Sequence, residues 1–279
     1  MDLPDFSKIF HQSSKDHAKG HPPIPEKYED WPEEWRTTYY KSYPRLPKID
    51  LEDLPAEALT KEGGPPSVDF FDLIKKRQSR RDFTRAHISK RELSLLLKYS
   101  CGNLWSLGET GRYRRAQPSG GGRFPIEVYP IVFRSPSSHP ERSEGSSDSS
   151  ASPQNDSTGE LKSGLYHYNV KDHKLDVLWD REFSDGDIDG LFTYPWVKDA
   201  AIGLVMTAVF WRNQNKYGER GHRYIMQEAG HIGQNMYLVC EALGLKCCAL
   251  GGTRDENLEK LIDIDGVTES VVYALAVGK

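Results

Sequence analysis

A chain of 279 residues, 37% hydrophobic and 28% charged, is long enough for one large domain but dilute in apolar side chains. Its formal charge of -4 lacks the basic excess of a nucleic-acid binder. The four cysteines, Cys101, Cys240, Cys247 and Cys248, form no CxxC pair and no His/Cys ladder, which disfavours a metal site or a disulfide framework and suits reduced thiols in a cytoplasmic protein.

Met1 to Phe10 lacks the basic start and apolar block of a signal peptide. Residues 1–66 are rich in proline, charge and aromatics, so little helix can persist there. Trp31, Trp35, Tyr39, Tyr40 and Tyr43 are too many aromatics for a disordered tail. The segment reads as an extended arm wrapping a core, either its own or that of a partner subunit. His17 and His21 have helical spacing, but their proline-flanked setting disfavours metal binding.

The domain spans 67–279. Ser67 is placed to cap a helix carrying Val68, Phe71, Leu73 and Ile74. Arg77, Ser79 and Arg81 then alternate, so in an extended segment they point the same way. Two guanidinium groups around a hydroxyl suit a phosphate or a carbonyl; on spacing alone a solvated basic loop fits as well. Ser89 and Glu92 form a capping box for a helix whose face holds Leu93, Leu96, Leu97 and Cys101. Arg115 to Gly122 is a glycine-rich loop before a strand, and not a dinucleotide or P-loop fingerprint. Glu127 to Arg134 is that strand, with Pro130 placing it at an edge or bulge.

Ser135 to Gly159 holds ten serines in 25 residues and almost nothing apolar, so residues 135–160 read as a disordered insertion. Leu165–Val170 and Leu175–Trp179 form a hairpin, Ile188–Phe192 a short helix and Ala200–Trp211 a buried strand too short to span a bilayer as a helix. Lys216 and Tyr217 follow in a polar loop. They suit an acid/base pair in which the lysine lowers the phenol pKa, or two plain surface residues.

Ile225, Ala229, Ile232, Met236, Val239, Cys240 and Leu243 mark one face of a long helix, and Gly244 stops it. At Leu250, Gly251 and Gly252 the backbone can approach a flat ligand closely. Thr253 and Glu256 suggest a capping box for a helix carrying Leu258, Leu261 and Ile262, and Ser270–Val277 suits a central strand. Helices and strands mix irregularly, so the class is α+β.

In combination, RxSxR at Arg77–Arg81, the Pro118-Ser119-Gly120 loop, the long helix, the Leu250-Gly251-Gly252 turn and the ending ALAVGK resemble the nitroreductase family of FMN flavoproteins. Within it, FHQSSK, QPSGGGRFPIEVY and KYGERGHRY resemble the SagB-type branch, the azoline-oxidising dehydrogenases that form thiazoles and oxazoles in peptides. The resemblance implies an α+β homodimer, an interlocked fold with a mixed central sheet flanked by helices and FMN at the subunit interface. It places Arg77, Gln78, Ser79 and Arg81 against the flavin, Pro118, Ser119 and Gly120 on a loop lent by the other subunit, and Leu250, Gly251 and Gly252 beside the flavin ring. Lys279 stands in for missing phosphate ligands, and Lys216 and Tyr217 are the pair that removes a proton. His222, Gly121 and Arg123 depart from the branch pattern. The implied substrate is a small molecule or peptide, with a biosynthetic partner protein, no nucleic acid, no membrane and no metal. Two alternatives are an NAD(P)H-dependent nitro or quinone reductase and a non-catalytic flavin-binding partner in a biosynthetic complex.

Overall fold

The computed structural model describes residues 6–15, 25–52, 68–108, 113–136 and 161–279. His17, His21, Ser67 and nearly all of the serine-rich insertion lie outside them. A seven-stranded sheet forms the centre: β1 (Lys48–Asp50), β4 (Ile126–Val132), β5 (Gly164–Asn169), β6 (Lys174–Asp180), β7 (Ile202–Val209), β8 (Lys246–Leu250) and β9 (Glu269–Gly278). The spatial order is β1-β6-β5-β4-β7-β9-β8. The central sheet is antiparallel in every ladder among the described residues. Outside it, β2 (Asn103–Ser106) and β3 (Tyr113–Arg115) pair as a small ribbon.

Two helices, α4 (Lys90–Cys101) and α7 (Arg220–Leu243), cover one face of the sheet. Period-two alternation along β4 sorts its side chains: Ile126, Val128 and Val132 join Leu93, Leu96, Ile225, Ile232 and Met236 beneath these helices. Tyr129, Ile131 and Phe133 point to the opposite face, against Phe192, Leu258 and Ile262. Among the described residues no helix is long and apolar enough to cross a membrane.

Several expectations need adjustment. The first domain helix, α3 (Phe70–Lys76), is capped by Asp69, whose carboxylate accepts from Phe71 N and Asp72 N. Its apolar residues are not buried in this chain: Phe70, Phe71 and Ile74 are exposed. Pro130 lies in an interior strand, but β4 pairs with β5 only at Ile131 and Val132, so at Pro130 the strand has β7 alone beside it. The short helix predicted at Ile188–Phe192 is α5 (Asp185–Asp189), moved toward the N-terminus by a capping box between Ser184 and Asp187. The Thr253–Glu256 box does not form; α8 (Asp255–Ile262) begins after Arg254, and Thr253 Oγ1 donates to Asp255 instead. The Ser89–Glu92 box is present, and α7 ends at Gly244 in a left-handed conformation (φ 70°) with the paired hydrogen bonds of a Schellman motif.

The arm wraps its own core. Its helices α1 (Phe6–Ser13) and α2 (Glu33–Arg36) are short. Arg223 on α7 donates to Ser14 Oγ and His11 O. Further along, Lys41 donates to Glu269, and Lys48 pairs with the fully buried Asp176. Asp176 and Glu127 flank buried His167 (3.1 and 2.9 Å), and Arg212 pairs with Glu127. Burial works against each charge, but the neighbours win: His167 is shifted up, and Glu127 is held down at about 2. The arm therefore supplies cations that a buried acidic network needs.

Candidate functional site

The predicted site residues fall into two clusters on α7. The first lies at its C-terminal half. After α3, residues 77–82 run along β8, the edge strand, and Arg80 N donates to Cys247 O at 3.0 Å. Arg77 and Ser79 both meet Tyr237, and Arg80 between them pairs with Glu241, one turn further along α7; Arg81, expected to share a side with Arg77 and Ser79, goes elsewhere. The Arg77 guanidinium lies 5.3 Å from the Tyr237 ring centroid, and Ser79 Oγ is 3.0 Å from the Tyr237 hydroxyl, which also accepts from Ala249 N at 2.6 Å. Arg81 lies over Trp196, itself stacked on Tyr194. Gln78 is exposed and Leu250 is buried.

The two glycines of the turn differ. A Cβ at Gly252 would sit 1.9 Å from Thr193 Oγ1, so this position is closed by its own chain. A Cβ at Gly251 would meet only the Tyr194 hydroxyl, 4.0 Å away, so the backbone there faces open space. Lys279 lies at the other end of β8: Lys246 pairs with Gly278, Thr84 N donates to Lys279 O, and Lys279 Nζ pairs with Glu92 at 3.1 Å.

The second cluster lies at the N-terminal half of α7. Lys216 and Tyr217 are not in a loop; they close a separate helix, α6 (Trp211–Tyr217), which Gly218 ends at φ 53°. The Pro118-Ser119-Gly120 loop leads into a single turn at Gly120–Gly122, with Gly121 at φ 65°. A Cβ at Gly121 would lie 2.4 Å from the Tyr217 hydroxyl and 3.4 Å from Lys216 Nζ. The loop thus packs directly on both side chains, and only glycine fits. Gly120 faces Tyr224, which makes an edge-to-face contact with Tyr217.

Lys216 is buried, with Nζ 3.2 Å from the Trp31 ring centroid and 5.4 Å from that of Trp35. The expected lowering of the Tyr217 pKa is not found. Burial pushes the phenol up, and Tyr224 adds to the shift. Arg123 is a buried brace: Nε donates to Arg212 O at 2.8 Å and Nη1 to Thr37 O at 3.2 Å. His222 stacks on Phe210 and meets the edge of Phe10, so it is packed among aromatics.

Sequence reading missed Glu228, which is 1% exposed behind this cluster. Gln117 Nε2 donates to it at 3.2 Å, and burial pushes its carboxyl up to about 7. A signal was present: Glu228 falls three residues after Ile225 and four before Ile232, on the apolar stripe. Tyr237 was missed because tyrosine on a helix face is an unremarkable core residue until its hydroxyl is seen to bind Ser79 and Ala249.

The nitroreductase family model matches residues 74–279. The chain belongs to the nitroreductase family. It is 26% identical to a protein named as a nitroreductase from Methanocaldococcus jannaschii, over 69% of this chain and 83% of that one. It is 27% identical to the trifolitoxin-processing protein TfxB of Rhizobium leguminosarum bv. trifolii, over 66% of this chain and 46% of the relative. With the microcin B17-processing protein McbC of Escherichia coli it shares 26% identity over 58% of this chain and 53% of the relative. The chain thus spans about half the length of these two processing proteins. A chain of the E. coli microcin synthetase McbBCD complex, solved with truncated pro-MccB17 bound, has the same fold (TM-score 0.52, 22% identity, 83% of this chain and 84% of that one). So does a nitroreductase-named chain from Anabaena variabilis (TM-score 0.63, 23% identity, 97% and 45%).

Proposed function

We propose that this nitroreductase-family oxidoreductase is an FMN-dependent, SagB-type dehydrogenase acting on azoline rings in peptides, as a cytoplasmic homodimer. One observation carries the reading. Lys216 Nζ and the Tyr217 hydroxyl converge on Gly121, at a loop position where any larger residue would displace them. The names of TfxB and McbC, a trifolitoxin-processing and a microcin B17-processing protein, support the substrate class.

The first cluster fits FMN. Arg77 and Arg81 offer cations for phosphate or the carbonyl edge of the ring, Gln78 and Ser79 offer hydrogen bonds, and the open backbone at Gly251 leaves room for a flat ligand. Leu250 and Gly252 fix that backbone from behind. Lys279 would reach a phosphate only by leaving Glu92. Tyr224 and Tyr237 mark the two clusters and stand 13 residues apart on α7, about 20 Å at 1.5 Å per residue. A second copy supplying Pro118, Ser119 and Gly120 would complete each site, which supports the dimer. A biosynthetic partner protein fits the same reading, by analogy with the McbBCD complex.

FMN, when bound, would supply the two-electron acceptor. The chain's own task is the proton. Tyr217 takes it from the substrate carbon next to the carbonyl. Burial alone disfavours the phenolate, so Tyr217 works as a base only where the Lys216 charge offsets that penalty. Arg77 or Arg81 would hold the ring edge as a fixed cation favouring the reduced, anionic cofactor.

The test begins with the visible spectrum of the purified protein and the mass of any cofactor released on denaturation. The reading expects FMN, and a Lys216→Ala/Tyr217→Phe variant that keeps FMN but loses turnover. Rapid bleaching by NADPH, with turnover indifferent to both residues, would instead establish a general nitro or quinone reductase. A flavin that reacts with no reductant or substrate would mark a non-catalytic partner.

A further inference from the structure

We propose that Trp31 and Trp35 of the N-terminal arm are positioning residues for Lys216, forming an aromatic wall that holds its ammonium against the glycine loop. The proposal rests on the reading of Lys216 and Tyr217 as the proton-removing pair. The arm lies outside the residues, 74–279, that the family model matches.

Three observations carry the inference. First, the Lys216 ammonium sits between two surfaces. The Trp31 indole face is 3.2 Å away at its centroid, and Gly121 lies beyond, its absent Cβ 3.4 Å from Nζ. Second, the wall is braced. Trp31 Nε1 donates to Pro25 O at 2.8 Å, and Trp35 Nε1 donates to Asn215 O at 3.2 Å, beside Lys216. The two indoles meet edge to face. Both N–H groups are therefore committed, and what faces the lysine is π surface. Third, the arm is locked to α6. Arg123 donates to Thr37 O on the arm and to Arg212 O at the start of α6, so wall and lysine are tied through one guanidinium.

The physical reason for such a wall is the cost of burying an ammonium. An indole face offsets part of that cost through its quadrupole. It also fixes a four-carbon side chain that would otherwise sample many rotamers. Nζ is thereby held 5.3 Å from the Tyr217 ring centroid.

The test is pulse acetylation of the full-length protein with trace acetic anhydride, read by mass spectrometry at Lys216. Lys41, paired with Glu269, reports in the same digest whether the arm stays docked. The proposal expects Lys216 in Trp31→Ala to react about tenfold faster or more than in wild type, the scale of a desolvated cation–π contact. Lys41 should be unchanged, and Trp31→Phe should restore most of the protection. In turnover, Trp31→Ala should lose kcat with KM unchanged. Lys216 reactivity equal to wild type in Trp31→Ala would overturn the proposal. So would equal gains at Lys216 and Lys41 that Trp31→Phe does not reverse, because the arm would then serve only as general packing. Labelling needs no substrate, so the two ideas fail separately: full turnover in Lys216→Ala would sink the catalytic reading whatever the labelling shows.

Discussion

The two halves of α7 build their sites in opposite ways. At the C-terminal half, one short segment, residues 77–82, lies along an edge strand and places Arg77 and Ser79 on Tyr237 and Arg80 on Glu241. At the N-terminal half, four segments distant in sequence, the arm, the glycine loop, α6 and the start of α7, close around a buried lysine. The first is an open cradle, suited to binding a large flat ligand. The second gathers a buried lysine and a partly buried tyrosine, suited to holding a proton donor or acceptor in a shifted state. Binding needs reach and complementary charge; proton transfer needs exclusion of water and fixed geometry.

If that division is right, damage to the halves should separate binding from turnover. The largest effect belongs to the closed cluster. Lys216→Ala/Tyr217→Phe should lower turnover by about a hundredfold or more while the flavin absorbance of the purified protein is unchanged. Loss of the flavin with turnover would erase the distinction. Next comes the open cradle. Gly251→Val places a side chain in empty space, so the melting temperature of the cofactor-free protein should hold to within about 0.5 kcal/mol of stability. FMN retained through gel filtration should fall about tenfold, because the new side chain occupies the ligand's place. Retention equal to wild type would remove Gly251 from the cradle.

A smaller effect sharpens the contrast in burial. Glu228 has its folded pKa raised from 4.5 to about 7. A raised acid binds more protons when folded, so its contribution is fully present below the unfolded pKa and is lost as pH rises through the folded one. Glu228→Gln removes that loss. Its stability relative to wild type should therefore improve by about 3 kcal/mol between pH 4.5 and pH 8, measured by urea unfolding. A flat difference would mean that water reaches the carboxylate. The smallest effect tests the cradle's support. Tyr237→Phe removes the acceptor for Ala249 N and the partner of Ser79, and should cost about 1 kcal/mol of stability, again by urea unfolding. No change would show that water replaces the hydroxyl freely.

How legible each half was follows from the same contrast. Local pattern reports local geometry. The Ser89–Glu92 box and the Gly244 stop depend on neighbours within a few residues, and each was readable; the common side expected of Arg77, Ser79 and Arg81 was not kept, because Arg81 meets Trp196 from a distant segment. The Lys216–Tyr217 pair was visible only by resemblance, since nothing nearby marks it. Its helix, its arm-borne indoles and the rise rather than fall of the Tyr217 pKa come from residues far away in the chain. Glu228 gave one hint, a charge on an apolar stripe, with no indication of what it faced.

By itself, the sequence determined the α+β class, most of the elements, the order of the family motifs and the C-terminal end of the long helix, because hydrophobic period and capping chemistry act over one or two turns. Tertiary structure alone decided where the arm docks, which residues neutralise Asp176 and Glu269, and that the glycine loop meets Lys216 and Tyr217. Those outcomes are set by burial and by charges brought together across the sheet. Dielectric and distance do not exist until the chain has folded.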